Sequence, residues 1–225
     1  MILKYGIIIV MVLLLGCTAT QKNNAITVVD AKAEQAKALG YYTVQPQETV
    51  YFIAWRLNMD YHDLAAYNNL TKPYKLKVGQ RLVLSVSKLK RVEIERQAQV
   101  RWAHTIPIKA WLWPVQGQVI DKFSNSTNGI DILAPRGTPV RAAAAGQVVY
   151  SGAGIRGYGN LVIIEHNAEY MTAYAYNDQI LVPEGHYVQA GQTIAMVGST
   201  GKNKVMLHFE LRKAGKAIDP LKYLS

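Results

Sequence analysis

The chain has 225 residues, half of them apolar, and a formal net charge of +10 at neutral pH. This length and composition allow one or two domains with a packed core. The positive charge favours an anionic partner, but no nucleic-acid recognition motif accompanies it, so we expect no nucleic-acid binding. A single cysteine excludes a framework of internal disulfides.

The N-terminus combines an apolar run with that cysteine. The run from Gly6 to Leu15 is about half as long as the ~20 residues of a membrane-spanning helix, which is typical of a signal peptide. The following LLGC resembles a bacterial lipobox, which implies that Cys17 becomes the lipidated first residue of the mature chain. We predict a lipoprotein signal peptide over residues 1–16, with a plain signal peptide as the alternative, and a polar tether or weak helix over residues 17–40. Thr18, in place of Asp, favours the outer membrane and a periplasmic location.

A small α+β module is predicted over residues 41–85. Residues 42–44 form a first strand, and Thr49 can cap a helix whose apolar residues recur at helical spacing. Asp60 can cap a second helix, and a closing strand follows within residues 75–84. This βααβ unit is too small to be an independent catalytic core.

The module resembles a LysM domain, which binds the N-acetylglucosamine chains of peptidoglycan. The resemblance rests on IA in the first helix, on the L…YN-N-L of the second and on L-VGQ-L at the closing strand. It implies a glycan groove between two loops, one with Pro46, Gln47, Glu48 and Thr49 and the other from Leu70 to Leu76. Many LysM domains have Gly-Asp where this chain has Gln-Glu, which alters the loop beside the groove. A spacer or protein-contact module is the alternative.

The positive charge is concentrated between the two halves of the chain. Residues 72–109 carry ten Lys and Arg against two Glu, whereas residues 113–225 carry ten against eight Asp and Glu. We predict a basic linker over residues 86–110, extended or transiently helical, whose charge is either solvated or attracted to an anionic envelope polymer or lipid headgroup. Trp111 to Pro114 should dock onto the next domain and begin it; an exposed aromatic patch is the alternative.

Residues 111–225 contain short β-forming runs between Gly and Pro turns: QVIDKF, QVVYSG, NLVIIEH, YMTAYAY, TIAMVGS and MLHFELR. Several alternate apolar and polar residues, which predicts half-buried strands, so we expect a mainly antiparallel β domain. From NGID to DPLKYL the region resembles the lysostaphin/LytM peptidase domain. A lipobox, a LysM module, a basic linker and a LytM domain together resemble the NlpD-type murein hydrolase activators.

The zinc pattern of the peptidase family is incomplete in this chain. Active members hold zinc with the His and Asp of H-x-x-x-D and the second His of H-x-H, and two further histidines serve catalysis. Only Asp131 and His208 match; Thr127, Tyr176 and Met206 stand at the other three positions. A catalytic zinc site usually needs three protein ligands and an open position for water. We therefore predict a degenerate domain with no metal, no other cofactor and no catalytic residue.

The resemblance implies that the metal-free groove binds a protein instead. We expect an open floor and rim formed by Thr127, Asp131, Tyr158, Asn160, Tyr176, Met206 and His208, in which Asp131 fixes a loop. Tyr and Met suit such a contact surface. The implied partner is a periplasmic N-acetylmuramoyl-L-alanine amidase, activated for cell-wall splitting during division. A peptidoglycan-binding scaffold without activation and an active zinc metallopeptidase are the alternatives.

Overall fold

The computed structural model describes residues 25–103, 107–124, 126–153 and 157–225. The predicted signal peptide and Cys17 lie outside these ranges. None of the helices in the described part of the chain is long and apolar enough to cross a bilayer. In chain order the elements are α1 (Ala25–Leu39), β1 (Tyr41–Thr43), α2 (Val50–Leu57), α3 (Tyr61–Tyr67), β2 (Arg81–Val83), α4 (Lys88–Ala103), β3 (Gln118–Asp121), β4 (Ile130–Leu133), β5 (Pro139–Arg141), β6 (Gly146–Gly152), β7 (Asn160–Glu165), β8 (Tyr170–Asn177), β9 (Gln179–Ile180), β10 (Tyr187–Val188), β11 (Thr193–Met196), β12 (Leu207–Lys213), β13 (Lys216–Ile218) and a 3-10 turn (Pro220–Lys222).

The N-terminal module has the predicted βααβ order. Strands β1 and β2 pair antiparallel. The Thr49 hydroxyl accepts a hydrogen bond from the Phe52 amide at 3.2 Å, and the Asp60 carboxylate accepts one from the His62 amide at 2.8 Å. These side chains satisfy amides that have no partner within the helices. Both predicted caps are therefore confirmed.

The segments predicted as a tether and a linker each contain a helix. Helix α1 packs against α2 and β1 and buries Ala33 and Ala36. Helix α4 occupies most of the predicted basic linker, where we expected extended or transiently helical chain. Its Ile94 and Ala98 are buried and lie one helical turn apart. A pair at this spacing gives a largely charged helix a narrow apolar stripe to pack.

The C-terminal region is an antiparallel β domain with two sheets. The larger has the strand order β10-β6-β7-β8-β12-β4-β3, with β13 also paired to β12, and the smaller has the order β5-β11-β9. All six predicted runs contain strands, namely β3, β6, β7, β8, β11 and β12. Ile132, Val162 and Phe209 of the large sheet join Val140 and Ile194 of the small one in a single core.

Trp111 docks onto the C-terminal domain. Its backbone forms a parallel bridge with Leu224, and its side chain is buried. The ring packs edge-on against His166, with ring centroids 5.0 Å apart. Trp113 is 38% exposed, so only the first tryptophan of the WLWP stretch is fully docked.

The N-terminal module packs directly on the outer face of the large sheet. One hydrophobic cluster contains Phe52 and Trp55 of α2 together with Tyr150, Leu161 and Ile163 of β6 and β7. The Phe52 and Tyr150 ring centroids are 5.7 Å apart. The two modules therefore share a core, and the covered face is the one that carries the residues of the predicted groove.

Candidate functional site

Strand β12 places three ionisable side chains on the face that the N-terminal module covers. Successive side chains of a strand point to opposite faces. Leu207, Phe209 and Leu211 accordingly enter the core between the two sheets. The residues between and after them are His208, Glu210 and Arg212, and all three are buried.

These side chains form a continuous chain of ion pairs with Asp131. His208 Nδ1 lies 2.6 Å from the Asp131 carboxylate on the neighbouring strand β4, and His208 Nε2 lies 3.2 Å from Glu210 Oε1. Arg212 donates to Glu210 Oε2 from Nε at 3.1 Å and from Nη2 at 2.8 Å. Tyr158 donates its hydroxyl proton to Glu210 at 3.0 Å. Each of the four charged side chains in this series therefore has an oppositely charged partner, as a low-dielectric environment requires.

The pairing keeps the His208 imidazole charged. Burial by itself disfavours the charged ring, but hydrogen bonds and attraction from Asp131 and Glu210 outweigh it and raise the pKa of His208 to about 9. Burial also opposes ionisation of Glu210, yet Arg212 and His208 hold the pKa of that carboxyl below its usual range. Near neutral pH the site is an imidazolium between two carboxylates.

Thr127 is committed to its own loop. Its hydroxyl oxygen accepts a hydrogen bond from the Ser124 amide at 2.9 Å and lies 3.1 Å from the Lys122 carbonyl. The role of fixing this loop, which we expected of Asp131, thus belongs to Thr127. Asp131 lies in a strand and fixes His208 instead.

Most of the predicted groove is not open. Tyr176 and His208 have at most 1% of their surface exposed, and Tyr158 and Met206 are also buried. Asn160 remains half-buried at the rim, where its side-chain amide donates to the Asp178 carbonyl at 2.9 Å. The structure therefore differs from the expected concave floor. Asp131, Tyr158, Tyr176, Met206 and His208 form a largely buried cluster, whereas Thr127 and Asn160 are half-buried.

Tyr176 is unusual within this cluster. It has a φ of +67°, a left-handed conformation that bulky residues rarely adopt. Its hydroxyl is buried without a hydrogen-bond partner. The Lys202 ammonium lies 5.4 Å from the centroid of the Tyr176 ring. A large aromatic ring thus fills the position where the peptidase family has a catalytic histidine.

This arrangement does not fit a catalytic zinc ion. Of the family's three ligands only Asp131 and His208 remain, and they are hydrogen-bonded to each other. A catalytic zinc site usually needs three protein ligands. Thr127 is held by backbone groups of its loop, and thioether sulfur, as in Met206, suits softer metals than zinc. In the part of the chain that is described, no group of three or more His, Cys, Asp or Glu side chains could hold a metal ion.

The first of the two loops predicted to bind glycan spans Pro46 to Thr49. Gln47 has a φ of +64°, a conformation that suits the Gly many LysM domains have there. Glu48 turns inward: its carboxylate pairs with Arg56 Nη1 at 2.7 Å and accepts the Tyr42 hydroxyl at 2.7 Å. Glu48 thus stabilises the module. Glycan binding by Pro46, Gln47 and Thr49 of the same loop stays a prediction.

Sequence reasoning missed Glu210 and Arg212. The signal was present, because both follow His208 at intervals of two in a strand whose alternate residues are apolar. That pattern marks one polar strand face. It does not distinguish a face in water from a face that another domain covers.

Comparison with known proteins finds a family match in each half of the chain. The family model of LysM domains matches residues 42–85, and that of peptidase family M23 matches residues 125–220. A zinc-containing peptidase from Vibrio cholerae superposes with a TM-score of 0.50 at 17% identity, covering 80% of this chain and 97% of that one. This structural likeness shows the fold alone.

Two relatives extend over most of the chain. The lipoprotein YgeR of Escherichia coli (strain K12) is 40% identical over 230 residues, which cover 94% of this chain and 88% of YgeR. The murein hydrolase activator NlpD of the same organism is 34% identical, over 81% of this chain and 67% of NlpD. The matches to a LysM and an M23 family model agree with the extent of these two similarities, and the chain belongs to the NlpD family of lipoproteins.

Proposed function

We propose that this protein is a non-catalytic, envelope-anchored activator of a periplasmic N-acetylmuramoyl-L-alanine amidase, acting in cell-wall splitting during division. One observation carries the proposal: in a peptidase fold, Thr127 stands at a ligand position with its hydroxyl bonded inside its own loop, and the buried ring of Tyr176 stands at a catalytic position. A third protein ligand and a catalytic imidazole are therefore both missing. The domain therefore keeps the shape of a peptidase for a purpose other than hydrolysis.

Membership of the NlpD family supports activation as that purpose, since a relative with the same two domains is named a murein hydrolase activator. Activation in this sense is a shift of the amidase population towards its open form. The activator must then bind the open amidase more tightly than the closed one. The proposed contact surface is the sheet face around Thr127, Asp131, Asn160, Tyr176 and His208, with Tyr158 and Met206 beside them.

The LysM domain and a lipid anchor would hold the protein at the cell envelope. We propose that the LysM loops at residues 46–49 and 70–76 hold peptidoglycan and that lipidated Cys17 anchors the chain in the outer membrane, facing the periplasm. Two or more acyl chains give stable anchoring, whereas one does not. Cosedimentation with purified peptidoglycan tests the first statement. Loss of radioactive palmitate incorporation in Cys17→Ser tests the second.

The activation proposal is tested with dye-labelled peptidoglycan. The full chain alone should release no dye, and adding it to a purified periplasmic amidase should raise the rate of release above that of the amidase alone. Release by the chain alone would show that it is a hydrolase. An unchanged amidase rate, together with cosedimentation, would leave a peptidoglycan-binding scaffold.

A further inference from the structure

The sheet face proposed to contact the amidase is covered by the chain's own LysM domain. Phe52 and Trp55 of α2 belong to one buried cluster with Tyr158, Tyr176 and Met206. A second protein cannot reach side chains that are buried in this way. We propose that the LysM domain is an intramolecular lid, and that the docked arrangement is an off state which must open before an amidase can be activated. This inference rests on the proposed function and adds its regulation.

Specific contacts, and not only apolar packing, hold the lid. The Arg212 guanidinium lies 3.9 Å from the centroid of the Trp55 ring and donates to the Trp55 carbonyl. At the other side of the interface, the Tyr61 hydroxyl bonds with Glu165 of β7. Arg212 is the last member of the ion-pair chain that begins at Asp131, so the chain ends on the lid itself.

One unpaired polar atom indicates that the docked arrangement leaves a buried group unsatisfied. The hydroxyl of Tyr176, in the cluster that includes Phe52 and Trp55, is buried without a hydrogen-bond partner. Such groups recover hydrogen bonds to water when they are exposed, so their burial costs free energy. Interfaces between domains of one chain also permit relative motion unless they are large and apolar. Here Arg212 and Glu165 take part in the interface beside its apolar cluster.

The proposed glycan loop is connected to the same interface. Tyr74 lies in the loop at residues 70–76, and its ring centroid is 5.8 Å from that of Tyr51 and 5.9 Å from that of Tyr61. Tyr61 is the residue that bonds with Glu165 across the interface. A change in this loop is therefore transmitted through one aromatic cluster to the contact that holds the lid.

Gly215 offers a way to open the lid from the peptidase-like domain. It lies in the turn between β12 and β13 with a φ of +76°, and a Cβ there would lie 2.1 Å from the Met59 carbonyl carbon and 2.2 Å from the Asp60 amide nitrogen. Asn tolerates this backbone conformation better than other side chains. Gly215→Asn should therefore keep the turn but exclude the LysM domain. Gly137→Asn is the matched control, since Gly137 has a φ of +78° and no atom would lie within 4 Å of its Cβ.

Two measurements on the full chain test the lid. Hydroxyl-radical footprinting follows Trp55, which is 2% exposed when docked, against Trp113, which is 38% exposed. Amidase activity is followed with dye-labelled peptidoglycan. We expect Gly215→Asn to label Trp55 faster and to raise the activated rate about tenfold, which corresponds to about 1.4 kcal/mol of docking free energy. Gly137→Asn should match the wild type. Glu165→Ala, which removes the acceptor of the Tyr61 hydroxyl, should act in the same direction and stands in if Gly215→Asn fails to fold.

The other outcomes separate the two proposals. If the wild type activates the amidase and the variant exposes Trp55 without a higher rate, the lid is overturned and the activator function stands. If Trp55 stays protected in both opened variants, or if opening abolishes activation, the lid is also overturned. If neither the wild type nor any opened variant activates an amidase, the proposed function fails and its regulation fails with it.

Discussion

The two faces of strand β12 differ in what stabilises them. On one face Leu207, Phe209 and Leu211 pack in the core between the two sheets of the same domain. On the other, Glu210 and Arg212 pair with each other, and Arg212 reaches the LysM domain. The stability of the first face comes from the packing of apolar side chains. The second depends on charge pairing and on a neighbouring domain, so the same strand supports the fold with one side and the proposed regulation with the other.

This contrast explains how a peptidase fold can remain stable with altered residues at its zinc positions. The apolar face of β12 stabilises the fold by packing in the core, and this packing does not depend on the residues at the zinc positions. On the polar face, the two positions that still match the zinc pattern, Asp131 and His208, lie 2.6 Å apart as an ion pair. Glu210 and Arg212 complete the pairing. Asp131 and His208 are therefore paired with each other, and Glu210 and Arg212 extend the series of ion pairs.

The largest expected effect lies on the apolar face. Phe209→Ala should lower the free energy of unfolding by about 3–5 kcal/mol, because it removes a buried ring and leaves a cavity. Guanidinium unfolding followed by circular dichroism measures this loss. Leu133→Ala is the control on the neighbouring strand, where the side chain is 37% exposed, and should cost about 1 kcal/mol or less. Equal losses at the two positions would show that the core does not depend on this face.

A smaller loss is expected on the polar face. Arg212→Met should lower the free energy of unfolding by about 3 kcal/mol, because Glu210 stays buried with one cationic partner fewer. Lys213→Met, at the next residue of the strand, removes a partly exposed ion pair with Glu169 and a cation–π contact with the Tyr170 ring. It should change stability by about 1 kcal/mol or less. The same unfolding experiment compares them. A neutral or stabilising Arg212→Met would mean that apolar contact with Trp55 replaces the ion pairs.

Local elements of the fold were predictable from the sequence. The caps at Thr49 and Asp60 and the alternating runs in the C-terminal half depend on residues close together in the chain, and sequence reasoning identified them. The two helices in the predicted tether and linker were not identified as stable elements. Each buries few apolar side chains, Ala33 and Ala36 in α1 and Ile94 and Ala98 in α4, which is too weak a pattern to decide between helix and extended chain.

The site was predictable in identity but not in environment. The positions of Thr127, Tyr176, Met206 and His208 within the motifs were enough to predict an incomplete zinc pattern. That they are covered depends on contacts such as Trp55 with Arg212, which join residues more than 150 positions apart and leave no local pattern. An apolar helix face such as that of α2 has the same sequence pattern whether it packs within its own module or on another one.

Two histidines provide a pH test of the polar face. The pKa of His208 is raised to about 9 by Asp131 and Glu210 in spite of burial, whereas burial lowers the pKa of His166 to about 4. Since the unfolded value is about 6.5 for both, the His208 contribution is complete below about pH 6.5 and is lost as the pH rises through about 9. The His166 contribution is complete above about pH 6.5 and is lost as the pH falls towards 4.

We therefore expect unfolding free energy to decline on both sides of about pH 6.5, by on the order of 3 kcal/mol on the alkaline side. Urea unfolding between pH 5 and 10 measures this profile. His208→Gln should lower stability at pH 6.5 and flatten the alkaline decline while leaving the acid one. An alkaline decline that persists in His208→Gln would assign it to other groups.

The smallest effect is expected at the edge of the interface. Tyr61→Phe removes only the hydroxyl that bonds with Glu165, and a single hydrogen bond contributes about 1 kcal/mol or somewhat more when one partner is charged. This loss should appear as faster hydroxyl-radical labelling of Trp55, by severalfold, with little change in the unfolding of the core around Phe209. Tyr187→Phe, at a ring that is 61% exposed, is the matched control and should change neither. If Tyr61→Phe destabilised the Phe209 core as much as it loosened Trp55, the two faces of β12 would be one cooperative unit, and the LysM domain could not open independently of the domain it covers.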